Sequence, residues 1–202
     1  MKKLIIMLLV LAVGLIFTNT FGWAQETQGD PCRVGKYSFS VGAGMRNFSD
    51  TLFKTIYRNG GTSYNVDLGI KIKNSLEVFV HTDYFTKDGL LTYTEENTTL
   101  KIIPIELGLR YIISINKQCQ PMLFPYVGAG AGYYMCKEEN PIGTFDKKGL
   151  GFLLEGGLRY YPVGFFFIDA KIKNVFLKIK NDLGMNVNVG GFSYMGAIGI
   201  SF

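Results

Sequence analysis

Residues 103–111 read Ile-Pro-Ile-Glu-Leu-Gly-Leu-Arg-Tyr, and apolar residues alternate with other residue types along almost the whole stretch. Successive side chains of a β-strand point to opposite faces of the sheet, so this spacing predicts a strand with one apolar face. The other face carries Glu106 and Arg110, whose charges lie four positions apart. The stretch therefore predicts a strand whose two faces meet very different surroundings.

Seven further segments alternate with the same period of two, so about eight strands are expected along the chain. These segments begin near Tyr37, Tyr64, Leu76, Val127, Leu150, Phe166 and Phe192. Short links are expected near residue 74 and at residues 113–121 and 162–164, and longer polar links at about residues 47–62, 86–99, 136–149 and 174–189. Short turns that alternate with longer external loops are typical of outer-membrane barrels.

The apolar face of each strand is expected to point outward, into lipid. The opposite face consists mostly of glycine, serine and a few charges, which suits the narrow interior of an eight-stranded barrel better than a solvated surface. Charges four positions apart on one strand are too distant to pair, so each interior charge is expected to find a partner on another strand. The expected members of this interior ion-pair network are Arg46, Asp67, Lys71, Glu77, Asp83, Glu106, Arg110, Glu155, Arg159, Asp169 and Lys171. A conducting polar pore is the alternative.

Three stretches of the sequence, residues 103–111, 125–133 and 194–202, resemble the outer-membrane β-barrel domain superfamily, which includes the OmpW-like, opacity-like and OmpA-type barrels. The resemblance covers nearly all of the mature chain. It implies an all-β, eight-stranded antiparallel up-and-down barrel in the outer membrane of a Gram-negative bacterium. It also implies that outer-membrane lipid and lipopolysaccharide surround the barrel. The expected signal for the barrel-assembly machinery is the last strand, with Tyr194, Ile198, Ile200 and Phe202. No wall-binding domain is expected after this strand.

The first 24 residues are expected to be a signal peptide that is cleaved after export through the Sec pathway. Two lysines precede an apolar run at residues 4–17, and Gly22 and Ala24 supply the small side chains that cleavage requires. A periplasmic segment is then expected at residues 25–36 and the barrel at residues 37–202. Without the two leader lysines the formal net charge falls from +5 to +3, and no basic run favours nucleic-acid binding.

The three cysteines give an expectation about topology. Cys32 and Cys119 are both expected on the periplasmic side, whereas Cys136 is expected at the outer end of the fifth strand. A disulfide between Cys32 and Cys119 is therefore predicted in this oxidising compartment, and free thiols are the alternative.

Motifs for catalysis or for a cofactor are weak. His81, the one histidine, is expected to share the inner face of its strand with Asp83, but no neighbouring serine offers a nucleophile. Gly128, Gly130 and Gly132 are spaced by two and no helical pattern follows them, so they are interpreted as one face of a strand rather than as a dinucleotide-binding loop. No cofactor and no metal are expected.

The leading hypothesis is a non-enzymatic protein of the cell envelope that acts through its external loops, with an extracellular partner that the sequence does not identify. A narrow porin-like channel for small or apolar solutes is the alternative, and a lipid A-modifying enzyme is a third hypothesis. Two loops contain apolar residues that either bind a partner or fold over the mouth of the barrel. These residues are Leu52, Phe53, Ile56, Tyr57, Leu90, Leu91 and Tyr93.

Overall fold

Long antiparallel strands make up most of the chain that the computed structural model describes, which is residues 34–57, 60–73, 75–90, 96–113, 122–141, 143–180 and 186–202. The strands are β1 (Tyr37–Phe48), β2 (Gly61–Lys73), β3 (Leu76–Leu90), β4 (Asn97–Ile112), β5 (Met122–Asn140), β6 (Gly143–Val163), β7 (Phe166–Lys180), β8 (Asn186–Asn188) and β9 (Gly191–Ser201). A short helix, α1 (Thr51–Tyr57), follows β1. The predicted signal peptide, Cys32 and Cys119 lie outside the described residues.

Eight of these strands form a closed barrel. Each strand from β1 to β7 pairs antiparallel with the next, and β9 pairs with both β7 and β1. The short β8 pairs only with β7 among the described strands. Closure leaves no sheet edge in the barrel wall, as hydrocarbon requires, because an unpaired backbone group finds no water there. The predicted eight-stranded antiparallel transmembrane barrel is confirmed.

The two faces of the wall differ as the sequence predicted. On β4, Leu107 is 58% exposed, whereas its neighbour Glu106 is fully buried in the barrel interior. The other barrel strands show the same alternation, with large apolar side chains on the outside. An apolar outer surface is stable only against lipid, so the barrel crosses a membrane with its strands. Within the described residues, no helix combines the length and the apolar character that crossing a bilayer requires.

We call the end of the barrel with the long connections, which the sequence predicts to lie outside the cell, the extracellular end. The strands at this end are longer than the sequence predicted. β5 continues to Asn140 and β6 begins at Gly143, and these two residues pair with each other, so most of the loop expected at residues 136–149 is a hairpin. β3 and β4 likewise extend into the loop expected at residues 86–99. The expected loops were wrong there because both faces of a strand meet water beyond the membrane. The alternation of apolar residues is then lost while backbone pairing continues.

Apolar clusters cover both ends of the barrel interior. At the extracellular end, Phe48, Tyr57 and Phe85 belong to a buried cluster that we call the upper apolar cluster, and the rings of Phe48 and Phe85 lie 5.5 Å apart. At the opposite end, a smaller cluster, the lower apolar cluster, contains Tyr161 and Phe167.

The helix α1 lies over the extracellular end of the barrel. Phe53 and Ile56 pack against the upper apolar cluster, and the ring of Phe53 lies 5.2 Å from that of Phe48. The hydroxyl of Tyr57 lies 3.3 Å from that of Thr98, and burial raises the pKa of Tyr57. These residues therefore fold over the mouth of the barrel, which was one of the two alternatives. Leu90, by contrast, is exposed on the outside. The side chains of Leu52, Leu91 and Tyr93 lie outside the described part of the chain.

Candidate functional site

The interior of the barrel contains ten buried charged side chains that contact one another, and we call them the ion-pair network. Five strands contribute these side chains. Inward-facing positions recur at every second residue of a strand, so the charges lie at several heights in the barrel. The members are Asp67 on β2, Glu77 and Asp83 on β3, Glu106 and Arg110 on β4, Glu155 and Arg159 on β6, and Asp169, Lys171 and Lys173 on β7.

Arg110 lies at the centre of the ion-pair network. Its Nη1 and Nη2 donate to the two carboxylate oxygens of Asp67 at 2.7 and 2.5 Å, which is the bidentate geometry that makes arginine–carboxylate pairs strong. Nη1 also donates to Glu77 at 3.1 Å, and Nε donates to Glu155. The guanidinium carbon lies 4.1 Å from the centre of the Phe79 ring. One arginine thus connects β4 to three other strands across the interior.

Arg159 connects the lower half of the network. It donates from Nη1 and Nη2 to the two oxygens of Glu77, at 3.0 and 3.3 Å, and its Nε lies 3.5 Å from Asp169. The hydroxyl of Tyr126 donates to Asp169 at 3.0 Å. The guanidinium carbon of Arg159 lies 4.7 Å from the ring centre of Phe167, so the ion-pair network directly contacts the lower apolar cluster.

Lys173 crosses the upper half of the interior. Its Nζ donates to Asp83 at 2.6 Å and to Glu106 at 2.8 Å, and the hydroxyl of Tyr134 donates to Glu106 at 2.8 Å. β7 and β3 are four strands apart in either direction around the eight-stranded wall, so the Lys173–Asp83 pair spans the full width of the barrel.

His81, Asp83 and Glu106 bring their potential metal-ligand atoms within 4.8 Å of one another. The geometry does not favour a metal, because the ammonium group of Lys173 already binds both carboxylates. The two ring nitrogens of His81 face Asp67 Oδ2 at 3.1 Å and Asp83 Oδ1 at 2.7 Å. Lys173 therefore supplies the positive charge beside these side chains that a metal ion would otherwise supply.

Comparisons with known proteins agree on the fold. No family model and no curated protein matches the sequence, but several solved structures do. Neisserial surface protein A (NspA) matches with a TM-score of 0.62 and 17% identity, over 83% of this chain and 97% of that one. OprG, an outer membrane protein from Pseudomonas aeruginosa, matches with a TM-score of 0.61 and 14% identity, over 88% and 99%. Ail, the attachment invasion locus protein of Yersinia pestis, matches with a TM-score of 0.56 and 16% identity, over 84% and 100%.

The chain has the fold of the eight-stranded outer-membrane barrels. The resemblance stated from the sequence is therefore confirmed at the level of the fold, and the narrower OmpW-like assignment stays a prediction.

The structure of this outer-membrane-type barrel brings together nine of the eleven side chains expected in the interior network, and two lie apart. Arg46 is buried above the network, where it has no carboxylate within ion-pair distance among the described residues. Lys71 is half-buried near the opposite end and also makes no ion pair with a described residue. Lys173 was missed, although it lies two positions after Lys171 and therefore on the same inner face. The register between strands, which sets the height of each charge, was not available from the sequence.

The glycines of β5 make room for the network. A side chain at Gly128 would begin 3.0 Å from Glu155 and 3.1 Å from Arg110, and one at Gly132 would begin 2.8 Å from Glu106. These positions face inward between larger charged side chains. Their spacing by two, which resembles a nucleotide-binding motif only superficially, is therefore explained by packing.

Two further groups of predicted site residues remain untested. Tyr194, Ile198 and Ile200 lie on the outward face of β9, and Phe202 is exposed beyond it, but their role in assembly stays a prediction. The Cys32–Cys119 disulfide also stays a prediction. Cys136 is a buried free thiol in the upper apolar cluster.

Proposed function

We propose that the chain is a non-enzymatic, non-conducting barrel of the bacterial outer membrane that acts through its extracellular surface. The observation that carries the proposal is the ion-pair network, which crosses the barrel interior from wall to wall. The pairs Lys173–Asp83, Arg159–Glu77 and Lys171–Asp67 each join strands that are not neighbours. A polar solute would have to break such pairs, and each buried charge left alone costs several kcal/mol.

The apolar clusters at both ends add to this barrier. Phe48 and Phe85 close the interior at the extracellular end, and Tyr161 and Phe167 close it at the other. Ions crossing an apolar constriction lose their hydration water, so the clusters oppose conduction independently of the charges.

Planar bilayer recordings test whether the barrel conducts. The refolded mature protein is expected to give no channel openings above the background of the bilayer, because both the network and the apolar ends obstruct the interior. A porin reconstituted in the same bilayers provides the positive control. Reproducible openings of defined size from the chain would contradict the proposal and favour the porin-like alternative, including an OmpW-like channel for apolar solutes.

An extracellular sheet formed by β3 to β6 supports a role at the cell surface. β6 pairs with β5 from Gly143 onward, whereas its pairing with β7 begins only at Gly151, so among the described strands the first part of β6 has a neighbour on one side. The exposed ring of Phe145 lies in this part. Sheet edges are a common site for recognition of extended peptides. The names of two similar proteins, a surface protein and an attachment invasion locus protein, fit such a role.

The same proposal includes outer-membrane localisation, export through the Sec pathway, lipopolysaccharide around the barrel and insertion by the barrel-assembly machinery. The apolar outer surface and the shared fold support the membrane location. The outward apolar residues of β9, which include Ile198 and Ile200, support the proposed recognition by the assembly machinery.

The proposed lack of enzymatic activity predicts that His81→Ala leaves the lipid A of the bacterium that produces the protein unchanged. His81 is completely buried and its ring nitrogens face Asp67 and Asp83, so a lipid substrate has no route to it. Mass spectra of lipid A from cells with the wild-type protein, the variant and no protein are expected to be identical. A mass difference that depends on His81 would overturn the assignment and favour a lipid A-modifying enzyme.

A further inference from the structure

At and above the upper end of the ion-pair network, four buried polar side chains line one side of the barrel interior. Each is at most 3% exposed, and each has a side-chain atom without a hydrogen-bond partner among the described residues. The atoms are Arg46 Nε, Ser63 Oγ, Asn65 Oδ1 and Nδ2, and Ser193 Oγ. We call these four residues the upper polar cluster.

Strand register places the upper polar cluster on three adjacent strands. Arg46 on β1 lies directly opposite Ser193 on β9. On the other side of β1, Ser63 and Asn65 of β2 lie opposite Gly44 and Gly42, which have no side chains to fill the interior next to them. Unpaired polar atoms so deeply buried cost about 1–3 kcal/mol each, so a group of them on three adjacent strands indicates a bound partner.

The charge of Arg46 indicates what kind of partner this is. Arg110 and Arg159 each contact at least two carboxylates, whereas Arg46 contacts none among the described residues. Its Nη2 donates to the carbonyl oxygen of Val189 at 3.3 Å, and its Nε remains a donor without an acceptor. A buried cation of this kind is stabilised by an anion that accepts hydrogen bonds.

We propose that the upper polar cluster binds a small oxyanion, a carboxylate or a phosphate. Arg46 supplies the positive charge and the Nε donor, and the hydroxyls of Ser63 and Ser193 supply further hydrogen bonds. The guanidinium carbon of Arg46 lies 6.0 Å from the ring centre of Phe48, one of the apolar residues under α1, so the surroundings of this cation are of low polarity. Low polarity strengthens hydrogen bonds between the cation and an anion.

Nuclear magnetic resonance of the mature barrel in detergent micelles tests the proposal. Acetate and inorganic phosphate are added separately at constant ionic strength, with chloride as the balancing salt. The Nε–Hε signal of Arg46, identified by its loss in Arg46→Lys, is expected to shift and reach saturation with one or both anions. The double variant Ser63→Ala/Ser193→Ala is expected to bind at least about tenfold more weakly, because two hydrogen bonds to the anion are lost.

Lys71→Gln is the matched control, since it removes an interior cation at the opposite end of the barrel and should leave the titration unchanged. Saturation by acetate alone or by phosphate alone supports the proposal and identifies the source of the oxyanion. A signal that does not shift, or that shifts linearly with both anions, would overturn it and leave buried water as the partner of the cluster. Circular dichroism confirms that every variant is folded. Channel openings in bilayers would refute the non-conducting barrel without affecting this result.

Discussion

Replacement of Arg110 by methionine is expected to lower the free energy of unfolding by about 3–5 kcal/mol. Methionine fills a similar volume, but it leaves Asp67, Glu77 and Glu155 without the cation that joins them. Carboxylates confined together in the barrel interior repel one another, and water cannot reach them to compensate. The measurement is urea unfolding of the refolded barrel in lipid vesicles, followed by circular dichroism.

Lys71→Met is the control for this experiment. It also replaces an interior cation by methionine, but Lys71 is only half-buried and makes no ion pair with a described residue. A loss below about 1 kcal/mol is expected for it. If the two variants lost equal stability, the central position of Arg110 would have no special importance. Adding Glu155→Gln to Arg110→Met should recover part of the loss, because one unpaired charge is removed.

The sequence was sufficient to predict the wall of the barrel. Each membrane-crossing strand has lipid on one side and packed interior on the other, so the residue type alternates at every position. The period predicts that Leu107 and Glu106 on β4 face opposite ways, and the glycine, serine and few charges on the second face indicate that Glu106 points inward. The extracellular halves of β5 and β6 could not be predicted in the same way, since a strand with water on both sides has no such pattern.

For the interior, the sequence predicted the types of residue but not the contacts between them. The sequence showed which charges face inward, but not their height, and partners are set by height and by the length of each side chain. Arg46 and Arg110 both face inward from barrel strands, yet only Arg110 lies level with the carboxylates. Lys173 shows the opposite case, because it reaches across the barrel to a strand far from its own in sequence and around the wall.

This separation of wall and interior also limits what similar structures reveal. At 14–17% identity, NspA, Ail and OprG share the wall with this chain, while the contacts inside each barrel depend on individual side chains. The function of this chain therefore has to be tested on its own residues. The outer surface matters most, because the assignment of the barrel to a membrane depends on contact between this surface and lipid.

Substitution of Leu107 by arginine is expected to destabilise the barrel in lipid vesicles by about 2–4 kcal/mol. Leu107 is more than half exposed on the outer face of β4, and it lies between Val80 and Ala131 on the adjacent strands. A charge placed there must enter the hydrocarbon, where neither water nor a protein partner compensates it. Urea unfolding in vesicles gives the change in free energy.

Phe145→Arg makes the same kind of change on the extracellular part of β6, where Phe145 is 40% exposed. Its expected effect is below about 0.5 kcal/mol, because the new charge remains in water. The comparison distinguishes two kinds of barrel. In a membrane-spanning barrel only the Leu107 variant loses stability, whereas in a barrel surrounded by water both exposed positions tolerate arginine equally. Equal tolerance would contradict the assignment of the apolar surface to lipid, since the cost of arginine at Leu107 arises from hydrocarbon alone.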